Sequence, residues 1–365
     1  MKTKIIAFIP CIALAAAAHA ASLTLVGGGS EMDTADISGV YDQITIETGT
    51  DGYMGNSSSG LITVQRTTAT TDFNPSADNS YINAYANYVF SGPVVLDCTA
   101  TTAGNHVIST QVLNASTLTF QNGITVKNAA NNTRLRFGGK IQDTIGNVIL
   151  NAVSGSIINS DSNMTDSELI LTSINFTVRN TDNPSGTVYL GKYTHIFYGS
   201  VLNLETNVRT LQLAPRSSVS NPANNLIGTV MMNGHTLTTG SIYFNPDSAS
   251  QCGSLTVDMT GDSASIFIST GTIGFNANYP KEDFSLDFIN VGVGDKIYFS
   301  NEIDDSTLSL LTINGLSGDD IIVTQELYDG KNYYSYSVNL IPEPASYAAL
   351  IGAMALFMAY RRRSR

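Results

Sequence analysis

Three of the four histidines, His106, His195 and His235, and two adjacent aspartate pairs, Asp304-Asp305 and Asp319-Asp320, are the side chains best suited to acid–base or metal chemistry. Paired carboxylates can divide acid and base roles at a glycosidic bond, and clustered histidines can hold a metal. Their spacing here supports neither use. The histidines stand 89 and 40 residues apart, with no His-x-x-x-His and no glutamate beside any of them. Both aspartate pairs lack an accompanying histidine or Lys/Arg in sequence, so each reads as a solvated turn. Asn314-Gly315-Leu316-Ser317-Gly318-Asp319-Asp320 has the form of one calcium-binding nonapeptide turn, but such sites work as stacked copies and only one is visible. Gly27-Gly28-Gly29-Ser30 opens no helix, and no Gly-x-Ser-x-Gly elbow or phosphate loop occurs. The sequence therefore assigns no catalytic residue, no cofactor-binding residue and no metal ligand.

The elements that would position any site are short. Apolar residues alternate in small groups, among them Leu118/Phe120, Leu135/Phe137, Val148/Leu150, Leu169/Leu171, Ile174/Phe176/Val178, Leu202/Leu204, Leu211/Leu213, Leu255/Val257/Met259 and Ile266/Ile268. Gly, Asn and Asp punctuate them, as at Asn122-Gly123, Asn233-Gly234 and Thr260-Gly261-Asp262. The groups recur every 6 to 13 residues between about Leu118 and Phe275, with Asn-rich corners at 128–132 and 221–225. This predicts an all-β chain, a right-handed parallel β-helix whose rungs each give two or three short strands. A β-sandwich is the alternative. Residues 21–90 read as an N-terminal cap, 91–281 as central rungs and 282–340 as a C-terminal, antiparallel β cap. In that cap Ile297/Phe299, Leu308/Leu310 and Ile321/Val323 read as strands, and Tyr333-Tyr334-Ser335-Tyr336 reads as a strand with half-exposed tyrosines.

The two ends of the sequence carry addresses. Lys2 and Lys4 precede an apolar run from Ile5 to Ala18, and Ala18-His19-Ala20 places small residues where a signal peptidase needs them, predicting a signal peptide over 1–20. At the other end come Pro342-Glu343-Pro344, an uncharged apolar run over 345–360, and Arg361, Arg362, Arg363 and Arg365. As a helix, 345–360 would rise about 24 Å, short of a hydrocarbon core of about 30 Å. The arginines favour the cytoplasmic side and so place the body across the membrane.

Pro-Glu-Pro, an apolar helix and an arginine cluster at the C-terminal end resemble the PEP-CTERM protein-sorting signal, over about 25 residues of 341–365. The resemblance implies reading by an exosortase-type, transpeptidase-like membrane enzyme, in Gram-negative bacteria that make exopolysaccharide. It also implies transient inner-membrane anchoring, processing near Pro342 to Pro344, and delivery to the outer surface or extracellular matrix.

Removing both ends leaves 12 Lys and Arg against 29 Asp and Glu, an exported body near −17. Nucleic acid and anionic membrane surfaces need clustered bases and are poor partners for it. Only Cys98 and Cys252 remain in that body, so one disulfide or two free thiols are possible. The expected function is an exported surface or matrix structural or adhesive protein associated with exopolysaccharide or other glycans. A secreted β-helical polysaccharide lyase or glycoside hydrolase is the alternative.

Overall fold

The computed structural model describes residues 167–339 with breaks at 198, 217–226, 245–252 and 277–283, the strands and short turns before them from Ser22 onward, and Tyr360. The described residues are all-β apart from one helical turn, Asp305–Leu308, and a 3-10 turn, Gly318–Asp320. Their strands form sheets of five, ten and fifteen strands. Pairing is parallel throughout the stack, from Ser22–Leu25 on Gln43–Ile46 to Ser285–Ile289 on Leu311–Ile313. A parallel neighbour obliges the chain to travel round before it returns, and as it does so the chain passes between the fifteen-stranded sheet and the others, the five-stranded sheet in the early turns and the ten-stranded sheet in the later ones. The fold is a β-solenoid. A sandwich, built from antiparallel sheets, is excluded by these pairs.

Register explains why no strict repeat is legible in the sequence. Stacked residues of the ten-stranded sheet are separated by as few as 25 positions, Leu286 to Leu311, and as many as 31, Ser254 to Ser285. The period is constant in space because strands must sit one hydrogen bond apart; the corners absorb the difference in chain length.

Alternation sends every second side chain inward. Leu118, Val148, Phe176, Leu202, Val230 and Val257 are register neighbours, all fully buried in one column. Leu135, Leu169, Leu213, Leu237 and Phe267 come from the facing fifteen-stranded sheet and belong to the same cluster. Each buried side chain of this size contributes roughly 1.5–3 kcal/mol. Ile266 and Ile268 do not follow the expected parity. Phe267 between them enters the main core, while the two isoleucines face outward and pack with Tyr298, Tyr328 and Tyr333 in a second cluster. The larger ring takes the core position, opposite Phe288 and Phe299.

The fifteen-stranded wall turns a corner inside its long strands. Gly240 and Gly271 lie at that corner, where an added Cβ would stand 2.3 Å from the Leu211 carbonyl oxygen and 2.1 Å from the Gly240 carbonyl oxygen, respectively. Inward-facing Thr210 and Thr239 bend over the corner and donate to the carbonyls of Gln212 and Ser241, at 3.3 and 2.7 Å. These hydroxyls satisfy the backbone where the ladder breaks. Buried Thr194 also donates to Thr210, at 3.0 Å.

Parallel pairing continues past residue 281, through Lys296–Phe299 and Leu311–Ile313. Antiparallel pairs are confined to Leu311–Ile313 with Leu316–Ser317, and to the hairpin Ile321–Tyr328/Lys331–Val338 docked on Lys296–Phe299. Leu308 falls in the helical turn rather than in a strand, because Asp304 caps that turn; Leu310 follows it. Among the described residues no helix is long and apolar enough to cross a membrane. Of the expected span 345–360 only Tyr360 is described, in helical conformation.

Candidate functional site

The outer face of the ten-stranded sheet carries regular columns of side chains. The residues between its core positions point outward, and Asn147, Asn175, Val201, Thr229, Thr256 and Asp287 stack in one half-buried column. Thr119, Ile149, Thr177, Asn203, Met231 and Asp258 form the next. Strand spacing fixes the interval along each column at about 4.8 Å, so hydroxyl, amide and carboxylate groups occupy that pitch except at Val201, Ile149 and Met231.

Those groups hold one another in place. Asn175 Nδ2 donates to Asn147 Oδ1 at 3.2 Å, Asn203 Nδ2 to Thr177 Oγ1 at 3.2 Å, and Asn233 Nδ2 to Asn203 Oδ1 at 2.6 Å and the Leu204 carbonyl at 3.0 Å. Thr312 Oγ1 donates to Asp287 Oδ1 at 2.8 Å and Asn290 Nδ2 to Asp258 Oδ1 at 3.0 Å. Burial alone would favour protonation of Asp258, but the hydrogen bonds from Asn290 and Thr260 outweigh it and keep the carboxyl below its ordinary range. Asn233 also adopts φ +48°, a left-handed turn conformation that asparagine tolerates. Side chains fixed by their neighbours above and below lose little rotamer entropy on meeting a ligand.

The histidines and the two aspartate pairs lie away from these columns. Asp304 caps the helical turn: its Oδ1 accepts from the Thr307 amide at 2.9 Å and its Oδ2 from Thr307 Oγ1 at 2.8 Å, with Ser306 Oγ a further donor. Asp305, Asp319 and Asp320 are exposed. His235 sits at a corner, where burial lowers its basicity against an opposing pull from Glu205. His106 lies in the strand His106–Val112.

His195 has a partner that its sequence neighbours do not reveal. Its Nε2 stands 3.4 Å from Glu168 Oε2, on the adjacent strand of the fifteen-stranded sheet. Glu168 is 6% exposed, and the His195 ring lies between Tyr193 and Phe197, at 6.0 and 5.2 Å between centroids. An imidazole beside a buried carboxylate is charge-complementary when protonated and ties two rungs together. No local motif could have found this pair; its only sequence signal is the register Ile170 to His195.

Among the described residues no group of three metal-ligating side chains converges. An apolar gap lined by Phe244, Phe275, Phe284 and Leu311 has an interior volume of about 10 Å³, enough for roughly one water. Ala18, Ala20, Cys98, Cys252, Pro342, Glu343, Pro344, Arg361, Arg362, Arg363 and Arg365 lie outside the described residues. Comparison with models of known families, with curated proteins and with solved structures finds no match in any of the three.

Proposed function

We propose that this protein is an exported structural or adhesive protein of the cell surface or extracellular matrix, and that the outer face of its ten-stranded sheet engages exopolysaccharide or other glycans. The observation that carries the reading is the cross-rung ladder of amides and hydroxyls, Asn147–Asn175 and Thr177–Asn203–Asn233. A polysaccharide offers hydroxyls at a regular repeat, and an ordered row of donors and acceptors can meet many of them at once. Individually weak contacts then gain strength through multivalency. The acidic body, near −17 after removal of both ends, favours neutral over strongly anionic chains.

Delivery follows from the ends of the sequence. A signal peptidase removes 1–20 after Ala20, and an exosortase-type enzyme acts at Pro342-Glu343-Pro344 while Arg361, Arg362, Arg363 and Arg365 hold the tail at the inner membrane. The solenoid is right-handed, as parallel crossover connections overwhelmingly are. The protein is then displayed at the outer surface or in the matrix.

The test is incubation of the purified full chain with a panel of neutral and uronate-containing polysaccharides, following retention together with release of reducing ends and, from the uronate-containing members, unsaturated uronates. Retention without release is expected; turnover on any member contradicts a scaffold and establishes the hydrolase or lyase alternative.

A further inference from the structure

The strand Ile321–Tyr328 is the last of the fifteen-stranded sheet: the sheet order ends with Lys296–Phe299, then Lys331–Val338, then this strand. Among the described residues no strand pairs with its outer side, and proteins ordinarily protect such an eight-residue edge with lysine, proline, a bulge or an inward charge. This one, Ile-Ile-Val-Thr-Gln-Glu-Leu-Tyr, has neither lysine nor proline, and its eight register pairs with the hairpin partner run without a bulge. Its single charge, Glu326, is neutralised within its own molecule, by Lys296 Nζ at 3.0 Å from both carboxylate oxygens. Ile322 and Leu327 are 38% and 69% exposed on it.

We propose that this edge pairs antiparallel with the same edge of a second copy, about a two-fold axis through Gln325. The register follows from the pleat. A two-fold axis normal to the sheet preserves its faces, so residues opposite one another must have the same parity, and the axis must pass through a residue rather than between two. An axis at Thr324 would set Ile322 against the partner's Glu326. An axis at Gln325 sets Leu327 against the partner's Val323, Ile322 against the partner's Tyr328, and Glu326 against the partner's Thr324. Either axis covers Leu327 with an apolar residue, Ile321 or Val323 of the partner, but only the second gives Ile322 an aromatic neighbour instead of a carboxylate and gives the carboxylate a hydroxyl. The surface is self-complementary, as an isologous interface requires. It is independent of the glycan reading, although a dimer would present two polar faces to one polysaccharide.

The experiment is disulfide trapping in the full chain, purified in mild detergent, with the unsubstituted protein as the control for its native thiols. Directly opposed residues have Cα atoms about 4.5–5.5 Å apart, inside the disulfide range, whereas Thr324 and the partner's Thr324 would be about 8 Å apart, outside it. Gln325→Cys is therefore expected to form a reducible covalent dimer under mild oxidation, and Thr324→Cys to form at least tenfold less. Sedimentation should give twice the monomer mass for the unsubstituted chain and the monomer mass for Leu327→Lys, with unchanged circular dichroism. A monomeric unsubstituted chain, as would follow if residues 340–365 of the same molecule cover the edge, overturns the proposal. So does preferential crosslinking at 324, or a dimer that Leu327→Lys leaves intact.

Discussion

His195 and Glu168 lie 27 positions apart in sequence and 3.4 Å apart in space. Removing His195 takes a ring from between Tyr193 and Phe197 and an imidazole from beside the buried Glu168 carboxylate. His195→Ala is expected to cost about 2 kcal/mol through lost packing, and Glu168→Gln less, since the amide keeps the shape of the side chain. Chemical denaturation of both variants checks the order. The Asp304 cap is simpler. Asp304→Ala removes the side-chain acceptor of the Thr307 amide and hydroxyl and should lose about 1 kcal/mol, whereas Asp305→Ala, which removes an exposed carboxylate, should be near neutral. Adjacent aspartates looked equivalent in sequence; the capping geometry separates them. The same limit applies to the histidine, because a cross-rung pair depends on a register that variable corners conceal.

At the scale of elements, alternation was legible where no larger apolar ring stood between the paired residues and the strand ran straight. Leu169/Leu171 and Ile174/Phe176/Val178 are buried as their spacing predicts. Ile266/Ile268 failed because Phe267 competes for the same wall, and Leu211 is only half-buried because its strand bends at the corner. That corner yields a sharp prediction. Gly271→Ala would drive a methyl group onto the Gly240 carbonyl, a backbone atom that cannot step aside, and should destabilise the protein by about 2 kcal/mol or more. Gly315→Ala meets open space but occupies a positive-φ turn, so its cost should be limited to about 1 kcal/mol of backbone strain. Comparing the two melting temperatures separates contact from conformation.

The terminal hairpin is held partly by charge. Hydrogen bonding from Lys296 holds the Glu326 carboxyl below its ordinary value of 4.5, in the folded state. A depressed folded value means that this contribution is complete above the unfolded value and is lost as pH falls through the folded one. Amide exchange in Ile321–Tyr328 should therefore rise relative to the central rungs on acidification below about pH 4.5, and Glu326→Gln should abolish the difference. Exchange that accelerates equally in all strands would contradict a local cap.

The whole molecule combines a stack whose architecture shows in patterning with a proposed function argued from its outer face and its terminal motifs. The β-solenoid was foreseeable because short strands at irregular but recurrent spacing, with Asn and Gly corners, leave few other ways to bury one aliphatic column. The ladder on its outer face was not, since Asn147 meets Asn175, and Thr177 meets Asn203, only after a turn of variable length. Processing of the exported chain is tested by intact mass at the cell surface: a mature form starting at Ala21 and ending near Pro342 to Pro344 is expected, and one reaching Arg365 argues for a permanent anchor.

The most direct test of glycan display is co-sedimentation of the protein with an insoluble neutral polysaccharide, comparing the unsubstituted chain with Asn175→Ala/Asn203→Ala. Both substitutions remove ladder amides from half-buried outer positions and spare the core columns. At matched folding by circular dichroism, retention should fall at least tenfold; equal retention by the two proteins would contradict the polar face as the binding surface.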